Sequence, residues 1–175
     1  MPEQLRLELF GAEHLEGVRG LLADRDVRRF TRVPDPPPDS FEVEWLARYR
    51  AGRTDGTREA FAAIDGKGRF VGFGVAPHID REAGEVELGY IVAPAERGRG
   101  LAVAILRMLT EWAFSELRAQ RIYLMIDVDN PASERVAQRC GYVREGVLRS
   151  LHVKQGLRSD TSLWSRLPSD PPLTP

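Results

Sequence analysis

The sequence predicts an α/β domain in which about four helices flank a mixed, mostly antiparallel central sheet of about seven strands. Three observations lead to this prediction. Apolar residues recur at every second position in some segments and at helical spacing in others. Several predicted strands follow one another directly, which favours antiparallel pairs over the regular alternation of a doubly wound fold. The 175 residues, 42% of them apolar, suit a single core.

The N-terminal elements are predicted from periodicity and from prolines. Leucines alternate with polar residues over 4–10, as in a half-buried strand, and residues 12–30 carry apolar side chains at helical spacing. Four prolines between residues 31 and 40 exclude a regular element there. Ser40 is a plausible N-cap for a helix over 41–50, whose aromatic residues share one face.

Three strands are predicted in the middle of the chain. Residues 59–65 and 69–79 are β-prone and joined by the turn sequence Asp-Gly-Lys-Gly, which indicates a hairpin. In the third strand, residues 84–92, the side chains of Val86, Leu88 and Tyr90 lie on one face.

The C-terminal elements complete the domain. A helix is predicted over 101–112, and an apolar strand over 121–128 is expected to be buried on both faces. A short helix follows, capped by Asn130 and terminated by Gly141, and two closing strands lead to residue 167. We expect a single domain over residues 1–167 and a flexible tail over 168–175.

Composition excludes several classes of function. The net charge of −1 provides no general attraction for nucleic acid or for an anionic membrane. Cys140 is the single cysteine, which allows no internal disulfide, and neither a secretion signal nor a membrane span is evident, so a cytoplasmic protein is expected. His14 and His78 lack the spacing of metal ligands, and no metal is expected.

The stretch from Pro94 to Leu106 carries the clearest chemical signal. Arg97, Gly98, Arg99 and Gly100 lead directly into the apolar helix. Backbone N–H groups at such a helix start bind phosphate, glycines allow close approach, and arginines add charged donors. The alternative is a surface loop with solvated arginines, and no Walker lysine supports a nucleoside-triphosphate site.

A resemblance to a known family favours the phosphate-binding interpretation of this stretch over a solvated surface loop. The sequence RGRGLA is similar to the Arg/Gln-x-x-Gly-x-Gly/Ala signature of the GNAT superfamily of N-acetyltransferases, with Arg97, Gly100 and Ala102 in the three matching positions. The segments ELGYIV and NPASERVAQRCGYVREG stand in the family's order, and the whole resembles the branch that acetylates N-termini of ribosomal proteins. The resemblance implies a GNAT fold, acetyl-coenzyme A as donor, an amine as acceptor and a possible homodimer.

The resemblance also implies the residues that hold the donor. The strand before the loop would splay from its neighbour and hold the pantetheine and the thioester by its backbone, and the loop would bind the pyrophosphate. The implied donor-binding residues are Ile91, Val92, Arg97, Gly98, Arg99, Gly100, Leu101, Ala102, Asn130 and Ser133. Asn130 could equally be a plain helix cap.

Three residues are candidates for catalysis. Many family members carry a tyrosine acid where this chain has Ala137, and Ser133 would instead bind the sulfur or relay a proton to it. Glu87 is the first candidate for the base that takes the amine proton, and His152 is the second, with an ordinary pKa of about 6.5. Both could instead have purely structural roles.

The acceptor is left open between two classes of amine. An α-amine has a pKa near 7.7–8.0 and needs less help from a base than a side-chain amine near 10.4, which favours a protein or peptide N-terminus. The alternatives are a small-molecule amine, or an acyl-coenzyme A-binding module without activity. We expect residues 30–41 to select the acceptor, and the acidic side chains near them to attract a cationic amine: Asp35, Asp39, Glu42 and Glu44.

Overall fold

The structure, a computed structural model, describes residues 5–172. The start of the predicted first strand at Gln4, and the outer ends of the predicted domain and tail, lie outside the described residues. Seven strands form one sheet: β1 Arg6–Leu9, β2 Glu59–Ile64, β3 Phe70–Asp80, β4 Glu85–Val92, β5 Arg121–Asp127, β6 Val143–Lys154 and β7 Leu157–Arg166. Five helices accompany them: α1 Leu15–Leu22, α2 Arg25–Phe30, α3 Phe41–Asp55, α4 Leu101–Ser115 and α5 Pro131–Arg139.

The strand order is β1-β2-β3-β4-β5-β7-β6, and β4 with β5 is the one parallel pair within residues 5–172. The predicted mixed, mostly antiparallel sheet is therefore confirmed. Each face of the sheet carries its own core. One core lies under α4 and α5 and includes Ile105, Leu109 and Ile122, while the other lies under α1 to α3 and includes Val18 and Phe73.

The predicted helical segment over 12–30 is broken, which explains why five helices are found where about four were expected. A single 3₁₀ turn spans residues 12–14, and α1 ends at Leu22. Asp24 then accepts a hydrogen bond from the N–H of Val27 at 2.9 Å and starts α2 as its N-cap. A side chain that satisfies the free N–H groups of a new helix makes such a break stable.

The prediction that β5 is buried on both faces is wrong. Ile122, Leu124 and Ile126 are buried, but the alternate residues are only half-buried. Met125 and Asp127 line a cavity, so this face of β5 is not fully covered by other parts of the protein. No helix of the described residues is long and apolar enough to cross a membrane.

Candidate active site

The site begins where β4 and β5 separate. The two strands pair only from Glu85 to Glu87 on β4, against Arg121 to Tyr123 on β5. Beyond that point residues 88–92 have no strand neighbour on this side, which agrees with the splay that the sequence resemblance implied. On the other side of β4, the register with β3 shifts between Val75 and His78. An extra residue in one strand of a pair bends it, and such bulges are common beside functional sites.

One cavity, of about 570 Å³, runs along the glycine loop to the gap between the strands. It is lined by nine of the ten residues predicted to bind the donor: Ile91, Val92, Arg97, Gly98, Gly100, Leu101, Ala102, Asn130 and Ser133. Arg99, the tenth, does not line it. The loop, the end of β4 and the start of α5 thus form a single groove.

The backbone of the loop is suited to an anion. Gly98 and Gly100 have φ values of 77° and 79°, a left-handed conformation that residues with side chains rarely adopt. This conformation directs the chain into α4 at Leu101. The N–H groups of Leu101, Ala102 and Val103 form the first turn of α4, and no described residue accepts a hydrogen bond from them. Unpaired N–H groups at a helix start fit the diphosphate of coenzyme A.

The arginines of this loop form ion pairs with acidic side chains of the protein. Arg97 contacts Asp24 with Nη2 at 2.7 Å from Oδ1, so it ties the loop to the start of α2. Arg99 pairs with Glu96 three residues earlier. Both guanidinium groups therefore have partners within the protein, and the backbone supplies the free donors of the groove.

A second cavity, of about 710 Å³, lies on the other side of the gap. The two cavities share residues at the point where they meet: Phe30, Thr31, Tyr90, Ile91, Asn130 and Ser133. Aromatic side chains from α3, among them Trp45 and Tyr49, form part of the wall of the second cavity. Of residues 30–41, which were predicted to select the acceptor, Phe30 to Val33 and Phe41 line this cavity, and residues 34–40 do not. A volume of this size is typical of small-molecule sites.

Glu87 lies in this second cavity and is buried, with 7% of its surface exposed. Its carboxylate accepts from Arg32, at 2.8 Å between Nη2 and Oε1 and 3.3 Å between Nη1 and Oε2. Burial raises the pKa of Glu87, and the charge of Arg32 opposes that effect. A carboxylate whose pKa is raised is a stronger base than an ordinary carboxylate and can serve as a general base.

Ser133 stands in the first turn of α5, where the two cavities meet. Asn130 accepts a hydrogen bond from the N–H of Ser133 at 3.1 Å, which confirms the predicted cap. The hydroxyl of Tyr90 is buried without a partner of good geometry among the described residues. Burial raises the pKa of Tyr90 to about 12, while the nearby Ser133 hydroxyl lowers it. Sequence reasoning assigned Tyr90 only a backbone role and missed this hydroxyl.

His152 is half-buried and lines the same cavity as Glu87. Its Nε2 atom is buried and has no hydrogen-bond partner within residues 5–172. Burial, followed by the charge of Lys154, lowers the pKa of His152, so the ring is neutral at neutral pH. The structure thus brings Glu87, Ser133 and His152 to one cavity.

The charges around this cavity differ from the prediction. Asp35, Asp39, Glu42 and Glu44 do not line it; Glu42, for example, pairs with Arg19 at 2.7 Å. The charged side chains that line it are instead Arg32, Arg48, Arg58, Glu87 and Asp127. Nothing in the local sequence distinguishes these arginines from solvated ones, because their common location depends on tertiary structure.

The β6–β7 hairpin forms one side of the cavity through Leu148, Leu151, His152 and Thr161, and its tip is fastened to the segment that follows α2. Lys154 donates to the carbonyl of Thr31 at 2.7 Å and also to the carbonyls of Arg28 and Val33. The adjacent Gln155 donates to the carbonyl of Asp35 at 3.1 Å. These contacts fasten the hairpin to the segment that was predicted to select the acceptor.

Other reactive groups are accounted for by the fold. Cys140 is fully buried, and burial raises the pKa of its thiol to about 11, as expected of an inert core residue. No cluster of residues that could hold a metal ion occurs within the described part of the chain.

Comparisons with known proteins agree with this geometry. The acetyltransferase (GNAT) domain family matches residues 4–143. A spermidine N(1)-acetyltransferase of Vibrio cholerae is 27% identical over 149 residues, which cover 85% of this chain and 84% of that protein. A ribosomal-protein-serine acetyltransferase of Escherichia coli is 28% identical over 81 residues, or 46% of this chain and 45% of that protein.

Solved structures show the same architecture. The spermidine N-acetyltransferase of Vibrio cholerae in complex with CoA and spermine has a TM-score of 0.85 at 24% identity, covering 95% of this chain and 97% of that one. RimL, a ribosomal L7/L12 α-N-protein acetyltransferase in complex with coenzyme A, has a TM-score of 0.84 at 17% identity, covering 93% of each chain. At these identities the likeness shows the fold alone.

Proposed function

Since the chain belongs to the GNAT family and is an acetyl-coenzyme A-dependent N-acetyltransferase, we propose that its acceptor is a small-molecule amine. The observation that supports this most strongly is the pair of cavities that meet at the gap between β4 and β5. One cavity has the free N–H groups that suit a diphosphate, and the other is compact and fastened on one side by Lys154. A transfer reaction requires two such sites with a common boundary.

Glu87 is the residue we assign to accept the amine proton, directly or through a water molecule. Acetyl transfer requires a neutral amine, and the nucleophile loses its proton as the new C–N bond forms. The Glu87 carboxylate is in the acceptor cavity, and Arg32 favours its ionised state. His152, neutral and with an unpaired Nε2, is the second group that can accept a proton in the same cavity.

Ser133 is the residue we assign to the departing thiolate. Its hydroxyl lies at the boundary of the two cavities, where the thioester of acetyl-coenzyme A would be held. Ala137 has no group that could donate a proton from the next turn of α5. The Tyr90 hydroxyl lies beside Ser133 and can supply a second donor at this boundary.

The relatives support a small-molecule acceptor more than a protein N-terminus. The spermidine acetyltransferase match spans most of both chains, whereas the ribosomal-protein-serine acetyltransferase match spans less than half. The α-amine of a protein, predicted from the sequence, is therefore the second candidate.

A thiol-release assay with acetyl-coenzyme A tests this proposal. Acceptors should include amino acids, amino sugars, spermidine, and peptides that begin with Ser or Ala. Cys140 contributes no background because its thiol is buried. Release with small amines supports the proposal, and release with peptides alone would overturn it in favour of the second candidate. Glu87→Gln, with coenzyme A binding intact, should lose most of the turnover.

The homodimer remains a proposal, supported by the surface of the β6–β7 hairpin. Strand β6 is at the edge of the sheet, and six of the ten exposed large apolar side chains of the described residues lie on this hairpin: Val143, Val147, Leu148, Leu151, Val153 and Leu157. An apolar edge strand favours pairing with a second copy across a two-fold axis. Sedimentation of the protein gives its mass in solution, and a monomer at micromolar concentration would contradict this proposal.

A further inference from the structure

We propose that the acceptor carries an acid group, a carboxylate or a phosphate, in addition to its amine, and that Arg48 and Arg58 bind this acid group. The inference rests on the proposed function, because it assigns a chemical class to the small-molecule acceptor. It starts from the charges that line the acceptor cavity.

Arg48 and Arg58 both line the acceptor cavity without an acidic partner. Neither guanidinium group makes an ion pair or a hydrogen bond with any residue in the described part of the chain. Arg32, the third arginine of the cavity, is held by Glu87. Arg58 is half-buried and Arg48 is exposed, so an anion that enters the cavity meets two cationic side chains that no carboxylate neutralises.

Arg48 and Arg58 both influence the hydroxyl group of Tyr49, which is part of the cavity wall. Burial raises the pKa of the Tyr49 hydroxyl, whereas the charges of Arg58 and Arg48 lower it. The charge of Glu87 acts on the same hydroxyl in the opposite direction. Tyr49 is therefore within reach of the two free cations and of the proposed base.

The strand register gives the backbone distance between Arg58 and Glu87. Arg58 immediately precedes β2, where Glu59 pairs with Ala76 of β3. Glu87 of β4 pairs with His78 of β3, so one strand separates Arg58 from Glu87. Two strand spacings place the backbones of Arg58 and Glu87 about 10 Å apart. One compact molecule can thus place its amine near Glu87 and its acid group near Arg58.

A polyamine is poorly suited to these charges. Each of its amines is a cation at neutral pH, as a lysine side chain is. The carboxylates that line the cavity are already engaged: Glu87 with Arg32, and Asp127 with the Ser159 hydroxyl at 2.6 Å and the N–H of Asp129 at 2.9 Å. The planar fork of arginine matches carboxylate and phosphate groups in geometry and charge.

Matched pairs of acceptors test the inference. Amino acids are compared with their amides, and phosphoethanolamine with ethanolamine, in the thiol-release assay. Spermidine is included as an acceptor whose charged groups are all cationic. The acid-bearing member of one pair should have a kcat/KM at least about tenfold higher. Which pair shows the difference identifies the acid group as carboxylate or phosphate. The amide is the weaker base and has more neutral amine, so ionisation of the amine cannot produce this preference.

Variants locate the preference within the cavity. Arg48→Gln and Arg58→Gln should each lower kcat/KM about tenfold more on the acid-bearing acceptor than on its amide. Arg58→Lys, which keeps the charge and the stem that packs near Gly52, should have an intermediate effect. Arg50→Gln is the matched control, because Arg50 is exposed on the same helix and does not line the cavity.

The failures of the two proposals are distinguishable. If small amines react but spermidine or the amides are preferred, the acid group is refuted while the small-molecule acceptor stands. The proposed acid group would also be refuted if the arginine variants lost the same fraction of kcat/KM on both members of an acceptor pair. If peptides react and no small amine does, both proposals fail.

Discussion

Replacing Arg32 with Gln should move the acid limb of the activity profile to higher pH. Arg32 contacts both carboxylate oxygens of Glu87, at 2.8 and 3.3 Å. For charge centres about 4 Å apart, the attraction is about 1 kcal/mol in water and about 4 kcal/mol at an effective dielectric constant near 20. Because the Arg32 side chain is 56% exposed, the lower figure applies. About 1 kcal/mol corresponds to roughly 0.7 pKa unit.

The same reasoning gives the sign of the effect on stability. Burial raises the pKa of Glu87 above its unfolded value, so ionised Glu87 destabilises the fold, and the loss develops as pH rises through the folded pKa. Arg32 reduces that loss. Arg32→Gln should therefore lower the free energy of unfolding by about 1 kcal/mol at neutral pH and have little effect below the unfolded pKa of the carboxyl group.

The assay is kcat/KM as a function of pH, which reports the ionisation of the free enzyme and the free acceptor. The acceptor contributes equally to every variant, so any displacement belongs to the enzyme. Arg32→Lys keeps the charge and should move the limb less than Arg32→Gln. Glu87→Gln should abolish the part of the acid limb that arises from ionisation of the enzyme. A limb that is identical in Arg32→Gln and the original protein would refute the assignment of Glu87 as the base.

Three further variants test other parts of the site. Asn130→Ala removes the cap of α5 and should lower the free energy of unfolding by about 1 kcal/mol in urea titrations, whereas Asn130→Asp should preserve it. Gly100→Val forces a branched side chain into a left-handed conformation and should weaken coenzyme A binding at least about tenfold in calorimetry. Gly20→Ala, at an open position of α1, should leave that affinity unchanged; equal effects would contradict the anion-binding loop. Tyr90→Phe should lower kcat several-fold without lowering the unfolding midpoint, since its hydroxyl has no protein partner of good geometry; unchanged kcat would exclude a role in proton transfer.

Features that depend on local sequence were predictable. The glycine loop, the Asn130 cap and the hairpin at residues 65–68 all follow from backbone preferences within a few residues. The break before α2 was missed, although Asp24 is a good capping residue, because the apolar periodicity continues across it. The capping residue and the apolar periodicity make opposite predictions over these few residues, and tertiary contacts determine which of the two structures forms.

The polar side of the acceptor cavity was not predictable from one sequence. Arg32 and Glu87 are 55 positions apart, and each alone is indistinguishable from a solvated residue. Arg48 and Arg58 line the same cavity because α3 packs against β2. For Tyr90, alternation along β4 predicted the correct face of the sheet, but it could not show that the hydroxyl would be left without a partner beside Ser133.

The contacts of Lys154 also bear on the order in which the protein becomes functional during synthesis. Lys154 is more than 120 positions away from the carbonyls that it holds, so a growing chain contains the glycine loop and α4 well before it contains the hairpin. The residues that line the donor groove all precede the hairpin in the chain, whereas Leu148, Leu151 and His152 of the acceptor cavity arrive with the last strands. A chain shortened before β6 would keep every residue that lines the donor groove but would lose Trp164 from the core and His152 from the acceptor cavity.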